Sequence, residues 1–447
     1  MAEQLNTKGK IAYASGMLGY SILINIISVM LVYFYIPPNN VGLTALVPQI
    51  TYFGVISLLA LVVASGRLLD AITDPVIAYL SDRSDNSSGR RIPFLKWSIL
   101  PSAVFCVLIF IPLTQNESTT NLWWLAFTQA GFYFALTVYI VPYNALLPEL
   151  APDSKEKVAL SALLSVSFVL GIIFSSQTPW LADLFEQVFN FRQRSVALQW
   201  AIGSFSLLAF VFMLIPIWYI DENKYCVSKP ITISISTAFR QTISNRNFVV
   251  FVMAETLYFI SLTLVVSGLL YYLTVLLELE ESLGGFVMAT MVLVSLCFYP
   301  LVVKWSNQNR KKELVFGALL LLSVLIGAVY FMGKVPLPPK VQIFGFAVLA
   351  ALPVAVLGIL PFTIISEEAD KDGTATGQQK EAMYFAIRNL ANKFGQTFGI
   401  MLFAMLTLWG KDPGNDLGIR LSGVLGFVLC AAGALLFTRY QPRRTTE

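Results

Sequence analysis

The chain has 447 residues, of which 56% are hydrophobic and 13% charged, and its formal net charge is +4. Soluble domains carry about 25% charged residues, so an ordinary soluble protein is excluded, and so small a net charge gives no nucleic-acid partner a footing. There is no histidine, which removes the usual general base, pH switch and commonest metal ligand.

Apolar stretches long enough to cross a bilayer, about 20 residues each, recur along the chain. They are predicted at 11–36, 50–80, 94–113, 121–147, 158–176 and 198–220, then at 248–276, 283–303, 313–332, 342–365, 380–409 and 418–438. The first is too long for a signal peptide and lacks an A-x-A-like cleavage site, so no cleavable signal is expected. The break after the sixth, Asp221 to Asn247, is the longest polar stretch inside the chain. Within it, Ser236–Ile243 is amphipathic and suits the membrane surface. Six spans, a break and six spans is the pattern of a duplicated transporter. The fold class expected is an all-α membrane protein of twelve transmembrane helices, in two six-helix halves, 1–220 and 248–447, joined by a cytoplasmic linker, 221–247.

Lys/Arg asymmetry gives the orientation. With the N-terminus inside, 21 of the 30 Lys/Arg fall on the cytoplasmic side, six on the other, and Arg67, Arg388 and Lys393 fall inside predicted helices. Both termini are expected in the cytoplasm. The four cysteines, Cys106, Cys226, Cys297 and Cys430, share no metal-site or redox spacing and read as small buried hydrophobes. With no catalytic cluster or nucleophile motif, an enzyme is not expected, nor a cofactor beyond a coupling ion. Trp123, Trp124 and Trp180 suit interface anchors.

Charges at helix centres cost several kcal/mol and mark function. The second span carries Arg67, Asp70 and Asp74 on one face, stacked turn over turn. Two carboxylates one turn apart repel at low dielectric, so either one takes a proton or a cation sits between them. All-oxygen ligation suits a hard ion such as Na⁺. The alternative is a packing role, with the pair bridged to Arg67 and Lys393. In the eleventh span Lys393 shares a face with Asn389, while Arg388 points about 140° away at 100° per residue. Glu255 in the seventh span is the obvious partner for Arg388; an anionic group on the substrate is the sharper alternative.

The loop after the second span holds Asp82, Arg83, Arg90 and Arg91, and that after the eighth holds Lys304, Arg310, Lys311 and Lys312. The Asp-Arg…Gly-Arg-Arg order resembles the loop signature of the major facilitator superfamily, which implies a conformational latch at Asp82, Arg83, Arg90 and Arg91. Arg67–Pro75, Ser81–Phe94, Thr137–Pro148 and Glu381–Lys393 together resemble the glycoside–pentoside–hexuronide:cation symporters, a melibiose-permease-like family. The resemblance runs through most of the chain. It implies cation binding at Asp70, Asp74 and Thr137, with Lys393 close by, and alternating access around a cavity between the halves.

The sugar-binding residues of that family are missing. Where it has acidic residues in the first and fourth helices this chain has Ser21 and Ile140, and Leu160–Gln177 contains no arginine. A sister branch, the sodium-coupled lysophosphatidylcholine symporters, keeps the helix 2 pair and the Val141–Leu146 run, so an amphiphilic substrate is the alternative to a glycoside. Further substrate-cavity candidates are Tyr20, Tyr139, Tyr143, Tyr384, Asn389 and Glu255, and packing is the competing role for the aromatics. The expected function is Na⁺- or H⁺-coupled symport of a small organic solute by a monomer in the plasma membrane. An uncoupled facilitator or channel is the alternative of another class.

Overall fold

The computed structural model describes residues 5–52, 56–84, 89–151, 154–225, 235–306, 310–376 and 381–441. Almost every described residue outside the short loops is helical, because a backbone in lipid must satisfy its N–H and C=O groups internally. Twelve helices have 18 residues or more: α1 (Thr7–Tyr35), α2 (Leu58–Asp82), α3 (Ile92–Ile109), α4 (Thr119–Leu150), α5 (Ser154–Ser176), α7 (Arg194–Tyr219), α10 (Arg246–Tyr271), α11 (Leu283–Ser306), α12 (Lys311–Ala328), α13 (Pro339–Thr376), α14 (Glu381–Leu406) and α15 (Leu417–Phe437). Three are short: α6 (Thr178–Phe189), α8 (Glu222–Tyr225) and α9 (Ile235–Ser244). Ten of the twelve are long and apolar enough to cross a membrane. The other two, α2 and α14, are long enough but carry the intramembrane charges.

The second span starts later than its apolar run suggests. Thr51–Tyr52 pairs antiparallel with Ile56–Ser57, and α2 begins only at Leu58, where Ser57 Oγ accepts from the Ala60 amide at 3.1 Å. Ser57 is therefore an N-cap, which offsets one of the orphan donors of the first turn. The sequence reading also lacked α6, a 12-residue helix with proline in its first turn.

The chain divides into two compact units, residues 1–230 with 280–288 and residues 231–279 with 289–447. The division runs through the linker, leaving α8 in the first unit and α9 in the second, where α9 packs on α10 and α14. In the first unit α1 packs against α5 and α7, and α3 against α4 and α7. In the second, α10 packs against α14 and α15, and α12 against α13 and α15. By span number, the pairs 1–5, 1–6, 3–4 and 3–6 return as 7–11, 7–12, 9–10 and 9–12. Duplication is thus visible in the packing of each half.

Candidate functional site

In the first unit α2 and α4 lie side by side and run the same way. Gln129 Nε2 of α4 donates to the Val63 carbonyl of α2 at 2.8 Å, and two turns on Thr137 Oγ1 donates to Asp70 Oδ1. Gly66 permits the approach, since a Cβ there would lie 2.5 Å from Gln129 and 2.8 Å from Tyr133. Thr137 is fully buried; Asp70 and Asp74 are half-buried, one turn apart on α2. A hydroxyl that binds one carboxylate keeps its lone pairs for a second partner. The Thr137 hydroxyl and the two carboxylates offer only oxygen, the ligand type that hard cations take. The Arg67 and Asp82 side chains fall outside the described part of the chain.

Two aromatic candidates of this unit, Tyr139 and Tyr143, form a packed column with Tyr13. Tyr13 and Tyr143 stack at 4.5 Å, and Tyr139 stacks on Tyr143 at 5.4 Å. Tyr13 Oη donates to the Tyr143 carbonyl at 2.6 Å, and Tyr143 Oη returns a bond to the Tyr13 carbonyl. All three are buried, so the column ties α1 to α4. Ser21 is buried in the seam between α1 and α5. Its Oγ donates to the Phe168 carbonyl at 2.5 Å, and Gly171 leaves no room there for a Cβ. Tyr20 is half-buried on α1.

The loop arginines converge on Glu149 at the end of α4. Arg90 Nη2 and Arg91 Nη1 lie 3.0 and 2.9 Å from its Oε1, and Arg91 also donates to the Ala145 carbonyl. Glu222 of α8 accepts from the Arg91 and Ile92 amides at 2.8 and 3.2 Å. A carboxylate over the first amides of α3 is stabilised by the helix dipole. Gly89, at φ +101°, makes the turn, and a Cβ there would lie 2.4 Å from Glu222. Arg83 stacks on the Tyr79 ring, 4.3 Å from its centroid. Sequence reasoning missed Glu149 and Glu222; the signal was an acidic residue at each helix end that faces the basic loop.

In the second unit, Arg388 of α14 meets Glu255 of α10 through two nitrogens: Nη2 to Oε1 at 2.5 Å and Nε to Oε2 at 2.9 Å. Both side chains are 3–4% exposed, and Phe362 of α13 covers the guanidinium face at 4.1 Å. This is the partner that the sequence made obvious. Lys393 is half-buried one turn after the exposed Asn389. Tyr384 is buried near the N-terminal end of α14; its hydroxyl accepts from Asn245 Nδ2 at 3.0 Å and its ring packs edge-on against Phe248.

Comparison with known proteins places this architecture. The family model "MFS/sugar transport protein" matches residues 12–440. The inner membrane symporter YicJ of Escherichia coli is 22% identical, over 92% of this chain and 84% of its own length. An isoprimeverose transporter of Lactiplantibacillus pentosus is 21% identical, over 74% of this chain and 68% of its own. Among solved structures, a D-xylose–proton symporter superposes with a TM-score of 0.63 at 14% identity, covering 98% of both chains. The molecule is an integral membrane transporter with the major facilitator fold, not an enzyme, and the chain belongs to the MFS/sugar transport protein family.

Proposed function

We propose that the chain is a cation-coupled symporter of an uncharged glycoside or related small solute, working by alternating access with both termini in the cytoplasm. The cation, Na⁺ or H⁺, is held at Asp70, Asp74 and Thr137. The observation that carries this reading is the bond from Thr137 of α4 to Asp70 of α2, with Asp74 one turn away. Two like charges one turn apart in a low-dielectric helix favour an added cation or proton, and that is the property a coupling site needs. Lys393 supplies positive charge to the coupling, as the family resemblance implies, and Arg67, on the same helix as the carboxylates, is the second positive charge. Ion and solute then raise each other's affinity reciprocally, by about 1–3 kcal/mol for a typical coupling.

The neutral-solute reading rests on Arg388. A guanidinium already satisfied by Glu255 and covered by Phe362 is a poor reader of an anion, because binding one would strand a buried carboxylate. The relative named for isoprimeverose points the same way, while two others are named for sulfonates. The test is uptake into proteoliposomes under imposed Na⁺ or H⁺ gradients, with glycosides, a uronide and lysophosphatidylcholine as solutes. Accumulation of a glycoside above equilibrium, driven by one of the gradients, is the expected result. Linear, non-saturating, gradient-independent uptake would reduce the protein to a facilitator, and gradient-driven uptake of the lysolipid alone would replace the glycoside.

A further inference from the structure

The helix α6 has no place in a simple six-plus-six plan, yet its two faces are sharply different. At 12 residues it is about 18 Å long, too short for a hydrocarbon core of about 30 Å. It sits between α5 and α7, both of which contain segments long and apolar enough to cross. Its two ends therefore lie at the same membrane border.

One side of α6 is clamped by charge. Arg194, the first residue of α7, lies 2.6 Å from Asp183, 3.2 Å from Glu186 and 2.6 Å from Glu281 in the lead-in to α11, and it donates to the Pro179 carbonyl at 3.2 Å. Asp183 and Glu186 are one turn apart, so a single guanidinium fixes the rotation of the helix about its axis. Ala182 is buried against the protein.

The remaining face is apolar and uncovered. Trp180, Leu184 and Val188, at helical spacing i, i+4, i+8, are 43%, 40% and 60% exposed. A run of aromatic contacts leads from the C-terminal end of α6 to α7. Phe185 packs on Phe189, Phe189 on Phe191, and Phe191 stacks on Trp200 of α7 at 6.2 Å and 21°. On α7, Trp200, Leu207 and Val211 form an exposed stripe along a membrane span, and such a stripe faces lipid. Ring contacts that start at Phe185 and Phe189 of α6 thus lead to this lipid-facing stripe of α7.

We propose that α6 is a membrane-surface helix, with Trp180, Leu184 and Val188 immersed at the boundary between lipid headgroups and acyl chains. Aromatic and aliphatic residues opposite a charged face are what such a helix requires, and tryptophan favours that depth. Five spans separate α6 from the N-terminus, so the lipid belongs to the leaflet facing away from it. Arg194 is the positioning residue that keeps the apolar strip turned into the lipid.

The test uses the full chain with its four cysteines replaced by serine and its thermal unfolding checked against the native protein. Nitroxide-labelled single cysteines at Leu184, Val188 and Gln193, the last exposed in the lead-in to α7, are read in phosphatidylcholine–phosphatidylglycerol vesicles. Labels at 184 and 188 should collide readily with oxygen and be shielded from a water-soluble nickel chelate, and the label at 193 should show the reverse. Equal nickel access at all three positions would mean a water-exposed helix; shielding of 184 and 188 from both agents would mean that protein, such as a second copy of the chain, covers the face. Either result overturns the proposal. Should the cysteine-free chain fail to fold, brominated lipid decides on the native protein: Trp180→Phe must lower the lipid-quenchable tryptophan fluorescence, and no change sinks the idea.

Discussion

The two halves repeat one packing plan but treat charge inside the membrane in opposite ways. In the second unit Glu255 and Arg388 neutralise each other through two short contacts under a phenylalanine lid, at 3–4% exposure. In the first unit Asp70 and Asp74 stand one turn apart on α2, half-buried, with a hydroxyl from α4 on one of them. A closed ion pair is a finished arrangement and resists change. A carboxylate pair with a neutral ligand invites a cation. On the proposed function, the two halves would then serve two purposes, one holding the fold and the other binding the ion.

The sharpest break in this comparison is expected at the ion pair. Arg388→Gln or Glu255→Gln alone leaves a buried charge uncompensated and should cost about 3–5 kcal/mol, read as a large drop in the unfolding temperature of the detergent-solubilised protein. The double variant removes both charges and should recover most of that loss. Singles as stable as the native chain would show that the pair is open to substrate after all.

At the carboxylate pair the expectation reverses. Asp70→Asn or Asp74→Asn relieves like-charge repulsion, so folding should survive while gradient-driven accumulation disappears. The ion should then no longer raise solute affinity, a loss of about 5–150-fold in the stimulation that a typical coupling supplies. Undiminished accumulation by both variants in proteoliposomes would make the pair structural.

Thr137→Ala should have a smaller effect. Loss of one hydroxyl contact is worth about 0.5–1.5 kcal/mol, so the ion concentration for half-maximal uptake should rise a few-fold, and Thr137→Ser should restore it. No shift in that concentration would remove Thr137 from the site.

The smallest effect on transport belongs to the basic loop of the first unit. Gly89 sits at φ +101° against Glu222, and a side chain there is strained by roughly 1–2 kcal/mol. Gly89→Ala should lower the unfolding temperature modestly and leave ion dependence unchanged. A changed ion dependence would tie this loop to the cation site.

Much of the site was legible because charge in an apolar helix is conspicuous. Asp70, Asp74, Arg388 and Lys393 stand out in α2 and α14, whose spans are less apolar than the other ten, and the acidic residue of the seventh span, Glu255, is the partner the sequence offers Arg388 besides an anionic substrate group. Other features left weaker signals. The Tyr13–Tyr143 exchange joins residues 130 apart, and its bonds end on carbonyls, which every residue has. Ser21 was offered as a cavity residue, yet its hydroxyl is spent on the Phe168 carbonyl between two helices. The helix α6 escaped because a short amphipathic segment is invisible to a search for apolar length.

By itself, then, the sequence determined the helical class, the spans and the helix that carries the carboxylates, since hydrophobic length and buried charge are local properties of a chain in a bilayer. It also determined the six-plus-six division, since the polar break is written in the composition. Only the tertiary structure decided which carboxylate holds Arg90 and Arg91, which carbonyls take the Ser21 and tyrosine hydroxyls, and which way α6 faces. Those choices depend on where helices approach closely enough for a hydrogen bond of about 3 Å, and close approach is possible where residues such as Gly66 and Gly171 lack a side chain.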